Sequence, residues 1–198
     1  MLLLSVETMW ADGRPEAHRH FSKQPLPEVS VIVITAPTGQ IGCQTLARLL
    51  ADGRPVRVVA RDPARLPPEV RERVEIVQGS HGDSDVVAEA FAGAESVLWL
   101  VPPNPQADDI EDSYLSLTRP ACDALKSQGV QRVVGVSSMG RAYGKPAGLL
   151  SPAFAVDELF ESTGVHYRSL AMPFFMENLL GQIEAISEQG DVLPGELR

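Results

Sequence analysis

From Val29 onward the chain alternates between two kinds of segment, and this alternation constrains the fold more than any other feature. Short runs rich in β-branched residues, VSVIVIT, VRVVA, VEIV, SVLWLV and RVVGVS, are separated by segments with helical spacing, such as Ile41, Leu46, Leu49 and Leu50 in the first. The apolar runs are continuous rather than alternating, so the strands they form need cover on both faces. Strand and helix in strict turn imply parallel strands joined by right-handed crossovers, hence an α/β doubly wound parallel sheet. A helix around Val156 to Phe160 and a sixth strand, YRSLAM at Tyr167 to Met172, close the series.

Residues 1–28 mix charges, prolines and two histidines without apolar periodicity and read as a flexible N-terminal extension, leaving 29–198 as the one domain. His18 and His20 have no cysteine or carboxylate cluster beside them at ligand spacing, so no metal site is expected. The pentapeptide ADGRP, at Ala11 to Pro15 and again at Ala51 to Pro55, has different flanks and reads as shared turn chemistry. With 17 basic against 26 acidic residues and no dense run of Lys and Arg, the chain does not suit nucleic acid as a partner. The start, MLLLSVETMW, lacks a basic flank, and no later stretch reaches the ~18 apolar residues of a membrane span. Cys43 and Cys122 both fall in helical segments, as reduced core thiols would. The expectation is a cytoplasmic protein without a membrane span.

The first strand runs into TAPTGQIG, Thr35 to Gly42. A strand, a tight glycine-rich turn and a helix whose first amides point outward make a cradle for a dinucleotide pyrophosphate in a Rossmann-like sheet. The G-x-x-G-x-x-G spacing falls on Ala36, Gly39 and Gly42. Gly39 would let the backbone approach phosphates, and Gly42 would let helix and strand pack closely. Pro37 disfavours the α region at Ala36, so a negative φ and an extended, rigid entry are expected there. Proline also removes one amide donor, leaving those of Gly39, Gln40 and Ile41 at the helix start. About 20 residues on, the second strand ends at Arg61, where an NAD site carries Asp or Glu. A guanidinium suits a 2′-phosphate, so NADP(H) is preferred over NAD(H), unless the adjacent Asp62 pairs with Arg61.

Taken in order, ITAPTGQIG, VRVVARDPARL, VEIVQGS, VLWLVPP, VQRVVGVSSMG and YRSLAMPFFMENLL resemble the NmrA-like branch of the atypical short-chain dehydrogenases, over about residues 29–193. The most specific parts are the fifth strand ending in Ser137, Ser138 and Met139, and the later MPFFMENLL. The resemblance implies an NAD(P)-binding Rossmann domain. In it Thr38, Gly39, Gln40 and Ile41 meet phosphates and Arg61 meets the adenosine end. Val101, Pro102 and Pro103 line the cofactor near its ribose. Ser137 and Ser138 lie by the nicotinamide, with Pro173 and Phe174 flanking it. Each of these positions ends a strand, and ligands of open α/β sheets sit outside the carboxyl ends of the strands.

The chain departs from that pattern in three places. Gly79 is followed by Ser80, not by an acid. The Tyr-x-x-x-Lys pair of ordinary short-chain dehydrogenases is missing: Tyr143 has Ala147 four residues on, and counting back from Asp157 puts the pair near Leu149 and Ala153. Tyr143 and Lys145 themselves lie in GRAYGKPAG, which reads as a mobile lid. The sequence stops at GDVLPGELR, where relatives of this type continue with a substrate-covering lobe, so the full C-terminal lobe is expected to be lacking. SSMG has no nucleophile elbow around it, and His81 and His166 have no evident role as its base. Phe174, Phe175 and Met176 beside Leu179 and Leu180 read equally as core or as the wall of an apolar cleft.

Two functions follow from these residues. One is an NADP(H)-dependent oxidoreductase acting on a small apolar carbonyl, enone or quinone, with water or a hydroxyl such as Ser138 assisting proton delivery. Quinones make the missing tyrosine less damaging, because their reduced oxygens are stable as weakly basic anions. The alternative is a non-catalytic dinucleotide sensor or regulatory protein. The sequence leaves the catalytic residues, the substrate and the oligomeric state open.

Overall fold

A computed structural model describes residues 30–102, 104, 106–141, 150–173, 175–177, 180, 183, 186 and 187. The expected extension at 1–28 lies outside the described residues. The strands are β1 (Val31–Thr35), β2 (Val56–Ala60), β3 (Glu75–Gln78), β4 (Ala94–Trp99), β5 (Arg132–Ser138) and β6 (His166–Met172), in one six-stranded sheet of order β3-β2-β1-β4-β5-β6. Every pairing is parallel. The doubly wound α/β sheet is therefore present, and its order reverses between β1 and β4.

The helices are α1 (Gln40–Ala51), the one-turn α2 (Pro68–Arg71), α3 (Ser84–Phe91), α4 (Ile110–Gln128) and α5 (Ser151–Glu161). Alternate residues of each central strand enter two separate cores. Ile34 and Val58 pack with Leu46 and Leu50 of α1 on one face, while Val33, Val59 and Val97 pack with Val87, Ala121, Leu125 and Phe160 of α3, α4 and α5 on the other. This is why the central runs read as continuous apolar sequence. The edge strand β6 differs: Leu170 and Met172 are exposed while Tyr167 packs against the core.

Specific polar contacts hold the layers in register. Thr35, at the end of β1, donates through Oγ1 to the Leu100 carbonyl at 2.9 Å and accepts from the Leu100 amide at 2.7 Å. The two strand ends flanking the order reversal are thus tied by one buried hydroxyl. Arg57 of β2 donates to the carbonyls of Ala90 and Ala92 at 2.8 and 2.7 Å, closing the end of α3, and pairs with Glu75 of β3. Trp99 of β4 donates to Thr118 of α4 at 3.2 Å and makes edge contacts with Phe91 and Phe160. The thiols are not both in the core: Cys122 is buried, but Cys43 is exposed on the outer side of α1. A helical position alone does not say which face a side chain takes. Among the described residues no helix is long and apolar enough to cross a membrane.

Candidate functional site

The crevice opens where the sheet order reverses, beyond the carboxyl ends of β1 and β4, and the turn after β1 forms its floor. Ala36 has a φ of +48°, the only positive φ of a non-glycine residue among those described, so the expected negative φ is wrong. The physical reason is turn closure. The Ala36 carbonyl accepts the Gly39 amide at 3.1 Å, bending the chain into α1 within three residues. Proline disfavours the right-handed region for its predecessor, and here the left-handed side is taken instead of the extended one. The Gly39 amide is consequently engaged inside the turn and is not a free donor. Gly39 is the N-cap residue of α1 and no side chain caps the helix. Cys43 is the first amide bonded back, to the Gly39 carbonyl. The amides of Gln40, Ile41 and Gly42 are the first three of the helix, which has no internal acceptors for them. Gly42 is required by close approach: a Cβ there would run into the Ala36 carbonyl and the Pro37 Cα.

Adjoining cavities extend from this turn in both directions. One of about 480 Å³ lies toward β2 and β3 and is lined by Ala36, Thr38, Gly39, Arg61, His81 and Pro102, among others. A second, of about 660 Å³, lies along α1 between Gln40, Ile41, Gly42 and the segment Leu100 to Pro102. The third, of about 390 Å³, lies over the ends of β4 and β5, against Ile41, Val101, Ser137, Ser138 and Pro173. Ala36, Gly39 and Pro102 are shared by the first two, and Ile41, Val101 and Phe175 by the last two, so they form one continuous cleft. Twelve of the fourteen residues singled out from the sequence line it. The other two, Pro103 and Phe174, lie outside the described residues, as do Tyr143, Lys145 and Leu149.

At the β2 end of the cleft Arg61 is exposed, with Arg65 on the same wall. Asp62 does not pair with Arg61: its carboxylate accepts the Ala64 amide at 3.0 Å and caps the short helical turn Pro63–Arg65. Among the described residues neither arginine is in an ion pair. Arg65 carried no sequence signal beyond its charge, because only that turn folds it back beside Arg61. His81 is buried and its Nε2 has no partner among the described residues. Burial, with the Arg61 charge adding to it, holds its pKa down at about 4, so the ring is neutral.

At the β5 end the cavity is apolar apart from a few hydroxyls. Ser137 is 6 % exposed and its Oγ has no partner among the described residues. Tyr114 of α4 reaches the same cavity, and burial raises its pKa, so the phenol keeps its proton. Nothing in the local sequence of α4 marks Tyr114; only the packing of α4 across β4 brings it to the cleft. Ala153 also lines this cavity, and no lysine does among the described residues. Asp157, from which the missing pair was counted, is not in the cleft. It is 2 % exposed and accepts from Tyr167 at 2.6 Å and from Ser169 at 3.1 Å, a structural cluster beneath β5 and β6. Phe175 lines the cleft, whereas Met176 and Leu180 are exposed and Leu179 lies outside the described residues.

A family model described as NAD(P)H-binding matches residues 37–195. A (4-alkanoyl-5-oxo-2,5-dihydrofuran-3-yl)methyl phosphate reductase of Streptomyces griseus is 36% identical over 110 residues, covering 55% of this chain and 35% of that one. Cinnamoyl-CoA reductase 1 of Oryza sativa is 30% identical over 138 residues, 66% of this chain and 40% of that one. Among solved structures, a nucleoside-diphosphate-sugar epimerase from Staphylococcus aureus superposes with a TM-score of 0.70 at 18% identity, covering 80% of this chain and 56% of that one. An NADPH-dependent quinone oxidoreductase from Escherichia coli, complexed with NADPH, gives 0.65 at 23% identity, covering 80% and 54%. At these identities the structural likenesses show the fold. The chain spans 35% and 40% of the length of these two curated relatives.

Proposed function

The chain belongs to the NAD(P)H-binding family that its residues 37–195 match, and from that premise we propose that it is an NADP(H)-dependent oxidoreductase of the NmrA-like, atypical short-chain dehydrogenase kind, acting on a small apolar carbonyl, enone or quinone. The observation that carries this reading is the continuous cleft across the switch point of the sheet, with two arginines that make no ion pair among the described residues at one end and an apolar chamber lined by Ser137 and Ser138 at the other. The fit to a dinucleotide rests on the same features. Gln40, Ile41 and Gly42 offer three unbonded amides to the pyrophosphate, with Thr38 and Gly39 beside them. Arg61 and Arg65 provide charge-assisted contacts for a 2′-phosphate. Ala36, Val101 and Pro102 line the middle of the site, and Pro173 lies at the end proposed for the nicotinamide.

When bound, the dinucleotide supplies hydride. The protein's own part is to hold substrate and exclude water. Ile41, Val101, Val156, Met172 and Phe175 give the chamber an apolar wall, and the Ser138 hydroxyl in its lining can donate to a substrate oxygen. Tyr114, kept protonated by burial, is a second donor in the chamber for a carbonyl oxygen. A quinone makes less demand on either, because its reduced oxygens are weakly basic. Two free cysteines fit a reducing compartment, the cytoplasm.

The test is NADPH oxidation with a panel of quinones, enones and aldehydes, paired with dinucleotide affinities for the wild type and Arg61→Ala. Turnover is expected with at least one class. Arg61→Ala should weaken NADPH roughly 10- to 100-fold, as loss of a charged contact worth about 1.5–3 kcal/mol does, and leave NADH nearly unchanged. Equal NADPH affinity in the variant would show that Arg61 does not hold the 2′-phosphate. Tight NADPH binding with no turnover would favour the second reading, a dinucleotide sensor, which the absence of lysine from the described lining of the chamber supports.

A further inference from the structure

The chamber over the ends of β4 and β5 has few polar groups, and where each one stands limits what it can take. Among the described residues no lining side chain carries a charge, and those with a hydroxyl or a ring N–H are Trp99, Tyr114, Ser137 and Ser138. Two of these cannot serve a ligand. The Trp99 N–H is given to Thr118 at 3.2 Å, and the Ser137 Oγ is sealed from solvent. The Tyr114 hydroxyl, by contrast, is neither bonded nor sealed among the described residues. Ser138 makes one long hydrogen bond, 3.4 Å to the carbonyl of Met139, which a rotation of its hydroxyl releases.

These two hydroxyls come from opposite sides of the sheet. Side chains alternate along a strand, and Val133 of β5 faces the core built with α4 and α5, so Ser138 faces the other way. Tyr114 belongs to α4 and packs against that core. Both positions are held by neighbouring contacts. Thr118 accepts from Trp99 of β4 and donates to the Tyr114 carbonyl at 2.8 Å, which fixes that turn of α4 to the sheet. The Met139 amide donates to the Met172 carbonyl at 3.0 Å, so β5 stays paired with β6 just past Ser138. The rest of the wall, with Ile41, Val101, Val156 and Phe175, is apolar.

We infer that the chamber takes a substrate with two carbonyl oxygens at opposite ends of one apolar ring system, as in a 1,4-quinone, one oxygen accepting from Tyr114 and the other from Ser138. This rests on the reading of the chamber as the substrate end of the cleft. A substrate with a single carbonyl leaves one hydroxyl facing an apolar ring, and a charged substrate meets no counter-charge in the described lining. The volume, about 390 Å³, is at the small end for a ligand site, which suits a ring system without a long tail. Burial raises the pKa of Tyr114, so it donates a hydrogen bond and keeps its proton.

The test measures affinity by calorimetry on the whole chain, with no hydride donor present, so that nothing is reduced. One probe is 2,3-dimethyl-1,4-naphthoquinone, whose blocked ring carbons spare the exposed Cys43 thiol. The other is 1-tetralone, a bicyclic ring of similar size with one carbonyl. The wild type should bind the quinone roughly tenfold more tightly, the factor one further hydrogen bond gives. Tyr114→Phe and Ser138→Ala should each weaken the quinone by about that factor, and the double variant should bind the two probes alike. The Tyr114 hydroxyl has no partner to lose among the described residues, so Tyr114→Phe should keep the wild-type urea midpoint, which separates a lost contact from a collapsed chamber. Equal binding of the probes by the wild type, or a preference for the quinone that survives in the double variant, overturns the two-point contact. So does an effect of one substitution alone, which leaves a single donor. Failure of the wild type to bind either probe overturns the chamber as the substrate end of the cleft.

Discussion

Ala36 carries a side chain on a left-handed backbone, where L-residues other than glycine pay about 1–2 kcal/mol. The structure accounts for why the strain persists: the carbonyl must face the Gly39 amide and the Cα of Gly42 at once. Replacing Ala36 by glycine relieves the strain but makes the unfolded chain freer by roughly 0.5–1 kcal/mol. The net expectation for Ala36→Gly is a gain of up to about 1 kcal/mol, read as a higher urea midpoint at unchanged slope. A loss of stability would mean that Ala36 is not left-handed. The sequence marked this residue correctly as a departure from the glycine pattern and misjudged its conformation. The local bias from Pro37 was legible, whereas the demand of turn closure comes from where α1 packs. His81, Tyr114 and Arg65 were harder still to find, because single residues of common type become notable only through what surrounds them.

Among the elements, the joint between β1 and β4 decides whether a cleft exists. Thr35 is fully buried and its one hydroxyl serves both the amide and the carbonyl of Leu100, immediately before Val101 and Pro102. Valine has the same shape without the oxygen, so Thr35→Val leaves a buried N–H and C=O unpaired together. The expected cost is about 1–3 kcal/mol, with a larger fractional loss of dinucleotide affinity than of secondary structure, checked by denaturation alongside NADPH titration. Unchanged stability and affinity would show that Leu100 finds other partners. The strands and helices themselves were readable from periodicity, and all six strands fall within a few residues of where the apolar runs place them. Two readings failed at this scale for one reason: Cys43 lies on the exposed side of α1, and Leu170 and Met172 of β6 are exposed. A helix or strand pattern identifies an element more readily than it identifies which neighbour covers each face.

The whole molecule has a pH response built around His81. In the unfolded chain a histidine titrates near 6.5; in the native protein burial, with Arg61 adding to it, lowers this to about 4. Above pH 6.5 the ring is neutral in both states and contributes nothing. As pH falls from 6.5 toward 4, the unfolded chain takes up a proton that the native one refuses, so stability is lost over that window, by on the order of 3 kcal/mol in all. His81→Phe should flatten this part of the profile, so the difference between the two stability curves should grow between pH 6.5 and 4 and stay constant above. Parallel curves across that range would show that His81 is solvated in the native state.

The amino-acid sequence by itself determined the sheet class, the order of strands and helices, the strand-to-helix turn at Thr35 to Gly42 and the arginine at the end of β2. Each of these is a local pattern: periodicity, turn chemistry and spacing act over a few residues, and they leave a trace that can be read without knowing what lies opposite. Only the tertiary structure decided that Asp62 would cap its own turn and leave Arg61 unpaired, that Arg65 and His81 would face one cavity, that Tyr114 would reach Ser137's chamber, and that Asp157 would be engaged by Tyr167 and Ser169. Those outcomes depend on which surfaces meet when the helices pack across the sheet, and burial and partnership are properties of the assembled whole rather than of any stretch of chain.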